Sequence, residues 1–372
     1  MDMEELKKVL IIINTIDAGG AETFVMKVFR ELSQRNYQFD FLINKKDSSF
    51  YRKEIESLGG KIYLGYSKSK HPIKCFMTIY KTVKREKYQR VFCVAVHPVG
   101  ALDVIAAKTA GAKNILVRST NSNAGGWISS ALAGIFRPLM RCYATRMIAP
   151  SKEAARWLFG EKAVRKKRVE IVHNAIDLSR FQFNAALRTE TRKMLGIKHE
   201  QYVIGHVGRF NRQKNHLFLI DSFIEFKKME PEALLLLVGE GELKHTIENR
   251  AVEAGVAEAV RFLGVRNDIP ELLMSMDVML FPSLYEGLPN VIVEAQATGL
   301  PCLISDSITK EVILSEWVEN DSLKNSPMDW AKHAKKQLKK NEFNKRENAT
   351  GTLNESGYSI TKTAEQMNKF LR

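Results

Sequence analysis

The sequence predicts an α/β protein built from two Rossmann-like domains. Two observations predict it: short apolar runs alternate with longer amphipathic stretches, and a second series of such runs begins after a polar interruption at 182–192. Alternating strand and helix signals are typical of βα units around a mainly parallel sheet. A chain of 372 residues is also long enough for two separate hydrophobic cores.

Each domain is defined by its own series of predicted strands. We expect a first domain at residues 1–182 and a second at 183–357, joined near 182–195 and facing a central cleft, because such sheets bind ligands at the carboxyl ends of their strands. The first series is Val9–Asn14, Phe39–Ile43, Lys61–Leu64, Val91–Val96, Asn114–Val117, Met147–Ala149 and Val169–Val172. The second series is Tyr202–Val207, Ala233–Val238, Val260–Leu263, Val278–Phe281 and Cys302–Ser305.

The C-terminal region changes character. Lys335–Lys340 is a basic run, and Asn341–Glu355 is polar with little periodicity, which predicts a solvated linker. Within 358–372 the apolar residues return to helical spacing. This pattern predicts a last helix, which could pack back onto the first domain.

Composition limits the partners and the compartment. The net charge of +15 suits an anionic partner: a nucleotide diphosphate, an anionic lipid surface or nucleic acid. The four cysteines lie far apart without metal-ligand spacing, and no metal site is predicted. The acidic N-terminus before a short apolar run is the reverse of a signal peptide, so a cytoplasmic protein is expected.

Two carboxylates eight positions apart, Glu286 and Glu294, flank a predicted strand-to-helix junction. Pro289 and Asn290 suit a helix start, which places Glu286 on the preceding loop and Glu294 about one turn inside the helix. The N–H groups of a helix start bind anions, whereas carboxylates accept hydrogen bonds from hydroxyls. An anion with hydroxyl groups on both sides describes a nucleotide sugar.

A pair of cations follows the first strand of the second domain. Arg209 comes directly after Gly208 at the carboxyl end of that strand, and Lys214 comes just before the next helix. A guanidinium and an ammonium together suit a diphosphate bound without metal. Surface charge in a basic protein is the alternative, and the strand-end position favours function. His206, inside the strand, is interpreted as structural.

Glycines at strand-to-helix turns mark further candidate contacts. Gly19 and Gly20 follow the first strand of the chain, and Gly241 follows the second strand of the second domain, near the expected nucleoside. Glycine lets the backbone approach a ligand closely. A tight turn or a helix cap explains these short motifs almost equally well.

The end of the fourth predicted strand carries His97. A histidine there could donate a hydrogen bond to a sugar hydroxyl or to developing charge, and a structural role is the equal alternative. After the seventh strand, Asn174 and Asp177 are interpreted as turn and cap residues.

One long amphipathic helix is predicted at Trp127–Tyr143. It could cover the first sheet, or it could lie on an anionic membrane with its arginines near the headgroups. Packing is the favoured interpretation, and basic clusters at Lys81–Arg90 and Arg165–Arg168 would strengthen membrane docking if they share a face. The predicted apolar face is Ile128, Leu132, Ile135, Phe136, Leu139 and Tyr143.

Together these motifs resemble the retaining glycosyltransferases of the GT-B fold, specifically glycosyltransferase family 4. The resemblance covers nearly the whole chain and depends on the order and spacing of the motifs. They are the loop at 19–22, the Asn174–Asp177 run, Gly208–Arg209 with Lys214, Gly239–Glu242 and the Glu286–Glu294 element.

The resemblance implies how the donor would be bound. Arg209 and Lys214 would hold its diphosphate, helped by backbone N–H groups around Leu288, Pro289 and Asn290. Family members usually need no metal, and no cofactor is expected beyond the nucleotide-diphosphate-sugar donor, with UDP as the expected nucleotide. Retention would then use the leaving phosphate to assist the acceptor hydroxyl on the same face of the sugar.

The resemblance also implies the contacts of the sugars. Glu294 would hold the ribose hydroxyls and Glu286 the transferred sugar, while His97 would contact that sugar from the first domain. Gly19 and Gly20 would border the phosphate.

Two departures from the family pattern concern the first domain. Ala175 stands where the family usually has glycine, which could alter the turn between the domains. The segment 118–121 lacks the histidines that relatives often carry there. Its Arg118 could meet an acceptor phosphate or be a surface residue at a strand end.

The leading hypothesis is a cytoplasmic glycosyltransferase, peripheral on the membrane, that moves a sugar from a nucleotide-diphosphate donor to a lipid-linked saccharide. It resembles bacterial enzymes that build capsular polysaccharide or exopolysaccharide. A sugar-nucleotide epimerase of the same fold is the near alternative, and its product would form from donor alone. A basic nucleic-acid-binding protein is the third, although the chain has no recognisable motif for it.

Overall fold

The computed structural model describes residues 6–17, 19–120, 127–340 and 343–372, without the side chains of 127–131, 340, 343 and 344. The chain divides into two compact units. The first is Met1–Ala175 together with Gly357–Arg372, and the second is Ile176–Ser356. The division therefore falls inside the Asn174–Asp177 run, earlier in the chain than the boundary expected at 182–183.

Both units are built on parallel sheets whose faces are covered by helices. The strand order is β3-β2-β1-β4-β5-β6-β7 in the first unit and β10-β9-β8-β11-β12-β13 in the second. The strands are β1 (Lys7–Ile13), β2 (Tyr37–Ile43), β3 (Ile62–Leu64), β4 (Arg90–Ala95), β5 (Asn114–Ser119), β6 (Arg146–Ala149), β7 (Val169–Ile171), β8 (Val203–Val207), β9 (Leu234–Val238), β10 (Val260–Gly264), β11 (Val278–Phe281), β12 (Cys302–Ser305) and β13 (Val318–Asp321). The helices are α1 (Gly20–Ser33), α2 (Arg52–Ser57), α3 (Pro72–Glu86), α4 (Ala101–Thr109), α5 (Trp127–Tyr143), α6 (Lys152–Phe159), α7 (Glu161–Arg165), α8 (Leu178–Phe181), α9 (Ala185–Met194), α10 (His216–Met229), α11 (Lys244–Glu253), α12 (Ile269–Ser275), α13 (Asn290–Ala297), α14 (Pro327–Gln337), α15 (Phe343–Arg346), α16 (Thr350–Glu355) and α17 (Ile360–Leu371).

Strand β1 shows why its sequence is apolar without interruption. Val9 and Ile11 belong to the core on one face of the sheet, and Leu10 and Ile12 to the core on the other. Successive side chains of a strand point to opposite faces, so a strand covered by helices on both sides has no position for a polar residue.

The last helix, α17, belongs to the first unit. Ala364 and Met367 are fully buried in the same core as α1, and the Tyr37 hydroxyl donates to Asn368 Oδ1 at 2.8 Å. The helical spacing of its apolar residues is explained by this contact with the first unit.

The prediction of a solvated linker at Asn341–Glu355 was wrong. The described part of this segment forms α15 and α16, and Arg346 is fully buried. Its guanidinium donates to the carbonyl oxygens of Thr298 and Met276 at 3.0 and 3.1 Å and lies 4.3 Å from the ring centre of Phe183. Backbone carbonyls and an aromatic ring therefore replace water around a side chain that the sequence marks only as charged.

The polar segment near 182–195 is also part of the second unit rather than a bare connection. Residues Ala185–Met194 form α9, and two of its arginines are buried. Arg188 and Arg192 contact the two oxygens of the Asp277 carboxylate at 2.6 and 3.2 Å. The short polar strand β13, at the edge of the second sheet, was missed because Glu319, Asn320 and Asp321 are poor strand formers.

The arginines of α5 have backbone partners. Arg137 and Arg141 donate to the carbonyl oxygens of Trp157 and Phe159, in the last turn of α6, where helical carbonyls lack partners of their own. Ala133 and Met140 are fully buried, whereas Ile135 is exposed. The helix therefore packs against the first unit, and these two arginines are not placed for headgroups; Ile128, on the predicted face, lies outside the described side chains.

Arg118 is fully buried, so the interpretation as a surface residue was wrong. Its guanidinium lies 3.7 Å from the ring centre of Phe24 and donates to Asn174 Oδ1 at 2.7 Å and to Val172 O at 3.3 Å. Burial lowers the pKa of Arg118 to about 9. These contacts give it a structural role in the first unit; Asn121, in the same motif, lies outside the described residues.

Each sheet has one point at which the strand order reverses. In the first unit it lies between β1 and β4, and in the second between β8 and β11. Loops that leave neighbouring parallel strands there diverge to opposite faces and leave room for a ligand at the carboxyl ends. His97 follows β4, the 208–214 loop follows β8, and Glu286 follows β11.

None of the helices in the described ranges combines the length and the apolar character needed to cross a bilayer.

Candidate active site

The second unit brings Lys214 and Glu286 together. The ammonium nitrogen lies 2.7 Å from Glu286 Oε1, and the two side chains are only 15% and 10% exposed. Lys214 also lies 4.5 Å from the ring centre of Phe281, the last residue of β11. The contact joins the loop after β8 to the loop after β11, at the switch point of the sheet.

Backbone contacts between these two loops hold the pair in place. Leu284 N donates to Gln213 O at 2.8 Å, and Gln213 Nε2 donates to Tyr285 O at 2.9 Å. Asn211 Oδ1 accepts from Lys214 N at 3.2 Å and caps a short 3-10 turn. The positions of the ammonium and the carboxylate are therefore fixed before any ligand arrives.

Gly208 is a glycine because the space beside it is taken. A Cβ atom at this position would lie 3.0 Å from His206 Nε2 and 3.1 Å from Lys214 Cε. A Cβ atom on Gly241 would overlap the carbonyl oxygen of Phe210. Gly208 thus leaves room for the Lys214 side chain, and Gly241 permits close contact between the turns that follow β8 and β9.

Arg209 has very different surroundings from Lys214. Its guanidinium contacts Glu242 Oε2 at 3.3 Å, and both side chains are largely exposed. Sequence reasoning missed this carboxylate partner, although Glu242 directly follows Gly241 in the motif. The exposed pair leaves Arg209 free to change partner when an anion with a higher charge is present.

The start of α13 agrees with the expected helix start. The helix begins at Asn290 with Pro289 at the N-cap position, and no side chain caps it. Glu294 lies about one turn inside, and Leu288 lies on the loop that connects Glu286 to the helix. The N-terminus of α13 therefore follows Glu286 by only a few residues and adds positive potential to this edge.

Two buried histidines lie behind Lys214. His206, in the middle of β8, uses Nδ1 to contact Leu280 O at 2.8 Å, and its ring lies 4.6 Å from that of His216. Burial is the main reason that the pKa of His216 falls to about 4, and that of His206 is also well below its ordinary range. Both rings are therefore neutral at physiological pH, and the cation next to them is Lys214.

His97 lies in the first unit, beside a cavity of about 730 Å³. Val99 N donates to its Nδ1 at 3.2 Å, so the ring proton of the neutral form is on Nε2. Burial and the nearby Arg137 lower the pKa of His97. The residue is therefore a neutral hydrogen-bond donor, which is the property that contact with a sugar hydroxyl requires.

The loop before α1 has the expected turn but also carries a carboxylate. Gly19 is the N-cap residue of α1 and Gly20 its first residue. The Glu22 carboxylate accepts from the Thr15 hydroxyl at 2.6 Å and covers the position where a Gly19 side chain would lie. The Glu22 side chain therefore occupies the space over the helix start; Ala18, between Asp17 and Gly19, lies outside the described residues.

Two family models match consecutive parts of the chain. Residues 18–180 match the model described as glycosyltransferase family 4, and residues 188–371 match the model described as glycosyl transferases group 1.

Curated relatives with similar sequences cover much of the chain. EpsF of Bacillus subtilis (strain 168), which is assigned to the glycosyltransferases, is 36% identical over 82% of this chain and 81% of its own. The UDP-Gal:α-D-GlcNAc-diphosphoundecaprenol α-1,3-galactosyltransferase of Escherichia coli is 31% identical over 63% of this chain and 62% of its own. The capsular polysaccharide biosynthesis glycosyltransferase CapH of Staphylococcus aureus is 25% identical over 88% of this chain and 90% of its own.

A solved structure matches nearly the whole fold. The complex of Alr3699/HepE from Anabaena with UDP has a TM-score of 0.78 and 17% identity, over 98% of this chain and 99% of that one. The two Rossmann-like units thus have the GT-B fold, and the family models and EpsF show that the chain is a glycosyltransferase. The chain belongs to glycosyltransferase family 4, and its relatives place it in polysaccharide biosynthesis.

Proposed function

We propose that the protein is a retaining hexosyltransferase that moves a sugar from a UDP-sugar to a lipid-linked saccharide in the synthesis of a bacterial surface polysaccharide. The contact between Lys214 and Glu286 carries the proposal, because it sets a phosphate-binding cation beside a hydroxyl-binding carboxylate. The UDP bound to Alr3699/HepE and the diphosphoundecaprenol acceptor of the Escherichia coli relative support the choice of substrates.

The donor diphosphate needs more positive charge than this pair supplies. One N–H of Lys214 serves Glu286, which leaves two for phosphate oxygens, but the charges of the pair cancel. Arg209 and the N-terminus of α13 would supply the remainder. We propose that these groups neutralise the diphosphate without a metal ion.

We propose the following bond changes for the transfer. The bond between the anomeric carbon and the diphosphate oxygen breaks, and the acceptor hydroxyl forms the new bond on the same face of the sugar. The hydroxyl proton passes to the departing phosphate oxygen. Glu286 would hold the sugar hydroxyls, while Lys214 and Arg209 stabilise the charge that grows on the diphosphate, which is usually the largest contribution in such a reaction. Glu294 would hold the ribose.

The first unit would receive the acceptor. Its neutral His97 can donate Nε2–H to a sugar hydroxyl, and we propose Gly19 and Gly20 as contacts of a phosphate. The Glu22 carboxylate over Gly19 would have to turn aside, because it repels a phosphate.

Peripheral attachment to an anionic membrane on the cytoplasmic side is part of the proposal. Helix α3 exposes Ile73 and Met77, and it carries Lys74, Lys81 and Lys84 on its length. Apolar and basic side chains on one exposed helix suit a bilayer with anionic headgroups. We expect the protein to float with vesicles that contain phosphatidylglycerol, and Ile73→Asp to weaken this flotation; binding to neutral vesicles of equal strength would contradict it.

The proposal is tested with the purified full-length chain. A screen of melting temperature against nucleoside diphosphates should show the largest rise with UDP, because a ligand that binds only the native state stabilises it. Transfer from the matching UDP-sugar should then give a product whose anomeric configuration equals that of the donor, measured by NMR. A changed configuration would refute retention, and conversion of the donor sugar without acceptor would favour the epimerase.

A further inference from the structure

The first unit contains a cavity whose lining the proposed transfer reaction uses only at His97. Its volume is about 730 Å³, and it opens at the carboxyl ends of β1, β2 and β4. Its charged and amide lining residues come from loops far apart in the sequence. They are Asn14, Asn44, Lys45, Lys68, Lys70 and His97.

An amide pair lies where β1 and β2 end. Asn44 Nδ2 donates to Asn14 Oδ1 at 3.1 Å, so Asn14 keeps its own amide N–H groups as donors. Small apolar residues, Ala95 and Val96, line the cavity beside His97. Amide donors next to a small apolar surface are the usual lining of a site that binds a polar ligand of sugar size.

The rim of the cavity is cationic, and its loop is held rigidly. Lys68 forms an ion pair with Asp103, whose side chain is 5% exposed, in the first turn of α4. Burial opposes the charge of Lys68, but the contact with Asp103 outweighs it and raises the pKa of Lys68. His71 N also donates to Ser67 O at 2.8 Å, which closes the loop before α3.

The two other lysines are available for a ligand. Lys45 contacts Asp17 at 3.3 Å, and both side chains are substantially exposed, so the pair is weak and can be exchanged. Lys70 is exposed and has no ion-pair partner within the described ranges. No acidic side chain lines the cavity in the part of the chain that the structure describes.

We propose that this cavity binds a glycosyl phosphate, with the sugar against Asn14 and His97 and the phosphate between Lys45 and Lys70. The inference rests on the proposed function and specifies the acceptor. The cavity would bind the first sugar of the acceptor together with the phosphate attached to that sugar. Lys68 acts as a positioning residue, because its ammonium is committed to Asp103 and fixes the loop that carries Lys70.

The positive charge of the cavity favours a ligand that carries a phosphate over a neutral sugar. Lys68 is neutralised by Asp103, but Lys70 and the weakly paired Lys45 add positive charge to the same concavity, which favours a ligand that brings negative charge. A phosphate offers about two charges and several acceptor oxygens, which ammonium groups bind as point charges. A neutral sugar would add no negative charge beside Lys70, and Lys45 would keep only its exposed contact with Asp17.

Calorimetric binding to the full-length protein tests the site without any transfer reaction. The probes are hexose 1-phosphates and N-acetylhexosamine 1-phosphates, each with its free sugar, and inorganic phosphate. We expect at least one sugar phosphate to bind roughly tenfold tighter than both its sugar and inorganic phosphate. The double variant Lys45→Ala/Lys70→Ala should lose about tenfold for that probe and nothing for the free sugar. The matched control is Lys108→Ala, an exposed lysine at the end of α4 that is not part of the lining.

Several outcomes overturn the site. They are equal binding of sugar phosphate and free sugar, equal losses in Lys108→Ala, or equally tight binding of the corresponding uronic acid. UDP binding, followed in parallel, separates the two proposals. Binding of UDP without any sugar phosphate refutes the site alone, while binding of a sugar phosphate without UDP refutes the donor assignment.

A transfer assay shows whether the bound phosphate belongs to a lipid-linked acceptor or to a soluble sugar phosphate. If the acceptor is lipid-linked, the double variant should lose activity toward a sugar linked through diphosphate to a polyprenol in detergent micelles, with a raised KM and a nearly unchanged kcat. If it is a soluble sugar phosphate, that compound should serve as acceptor at a comparable rate. Variant Lys70→Arg should keep most of the affinity in either case, because it retains the charge.

Discussion

Two cation–carboxylate pairs follow the strands of the second sheet, with the same charges and opposite surroundings. Lys214 and Glu286 are mostly buried and 2.7 Å apart, whereas Arg209 and Glu242 are 71% and 58% exposed and 3.3 Å apart. Water screens the exposed pair, which therefore contributes little to stability and can separate at low cost. The buried pair is held by its surroundings and keeps its geometry.

The difference in exposure indicates that the two pairs have different roles at the donor site. A reaction needs some groups that are fixed in place at the reacting atoms and others that can follow a ligand as it enters and leaves. We expect Lys214 and Glu286 to belong to the first kind and Arg209 to the second. The sequence shows four charged residues, but only the structure shows how they pair and how far each pair is exposed.

We expect the largest effect from substitutions of Glu286, which remove the carboxylate of the buried pair. Glu286→Gln keeps the size of the side chain and removes the charge, and Glu286→Ala removes the group. We expect both to reduce kcat/KM for transfer by about 10³-fold, because the contact to the transferred sugar is lost at the reacting centre. The control is Glu242→Gln in the exposed pair, for which transfer should stay within a few-fold. Near-normal transfer by both Glu286 variants, with unchanged melting temperature, would show that Glu286 does not contact the transferred sugar.

We expect substitutions of Lys214 and Arg209 to weaken donor binding by different amounts. Lys214→Ala should weaken UDP binding by roughly 10- to 100-fold, and Arg209→Ala by less than tenfold at low salt. Only the contribution of the exposed Arg209 should fade as salt is raised, because added ions screen exposed charges far more than buried ones. Calorimetry at several salt concentrations measures both. Equal salt dependence of the two losses would show that the pairs do not differ in the way their exposure indicates.

A smaller effect is expected when the buried pair is moved rather than broken. Gly208→Ala places a methyl group 3.0 Å from His206 Nε2 and 3.1 Å from Lys214 Cε, so the lysine must shift by a few tenths of an ångström. We expect KM for the donor to rise several-fold, since small displacements in a fixed site are costly. The matched control is Gly351→Ala in α16, where a Cβ would meet nothing within 4 Å. The same rise in KM in both variants would contradict this steric explanation.

The sequence predicted the architecture better than it predicted the contacts. The two strand series, apart from β13, and the helix start at Asn290 follow from local patterns, and the structure has them. The burial of Arg346 and Arg188 could not be predicted from local patterns. Their partners are carbonyl oxygens and a carboxylate from distant segments. A local pattern shows that a residue is charged; it does not show what surrounds it.

The same limit applies to the cavity of the first unit. Its lysines come from separate loops after β2 and β3, and each alone looks like surface charge. The position of Asn14 and Asn44 after adjacent strands was a usable signal, because carboxyl ends of parallel strands meet at one edge. Lys68 could not be recognised, since its role depends on burial beside Asp103.

The smallest effect concerns the histidines behind the buried pair. His216 has a pKa of about 4 in the folded protein because it is buried and lies near Lys214, against about 6.5 in the unfolded chain. Between these values the unfolded state binds more protons than the native state, so the free energy of unfolding increases with pH and stability is lost as pH falls from about 6.5 towards 4. One such group contributes a slope of at most about 1.4 kcal/mol per pH unit. His216→Leu should reduce the slope of melting temperature against pH in this window, whatever its own cost to stability. An unaltered slope in His216→Leu would mean that the ring is already protonated next to Lys214, and the buried pair would then lie in a far more polar environment than its exposure indicates.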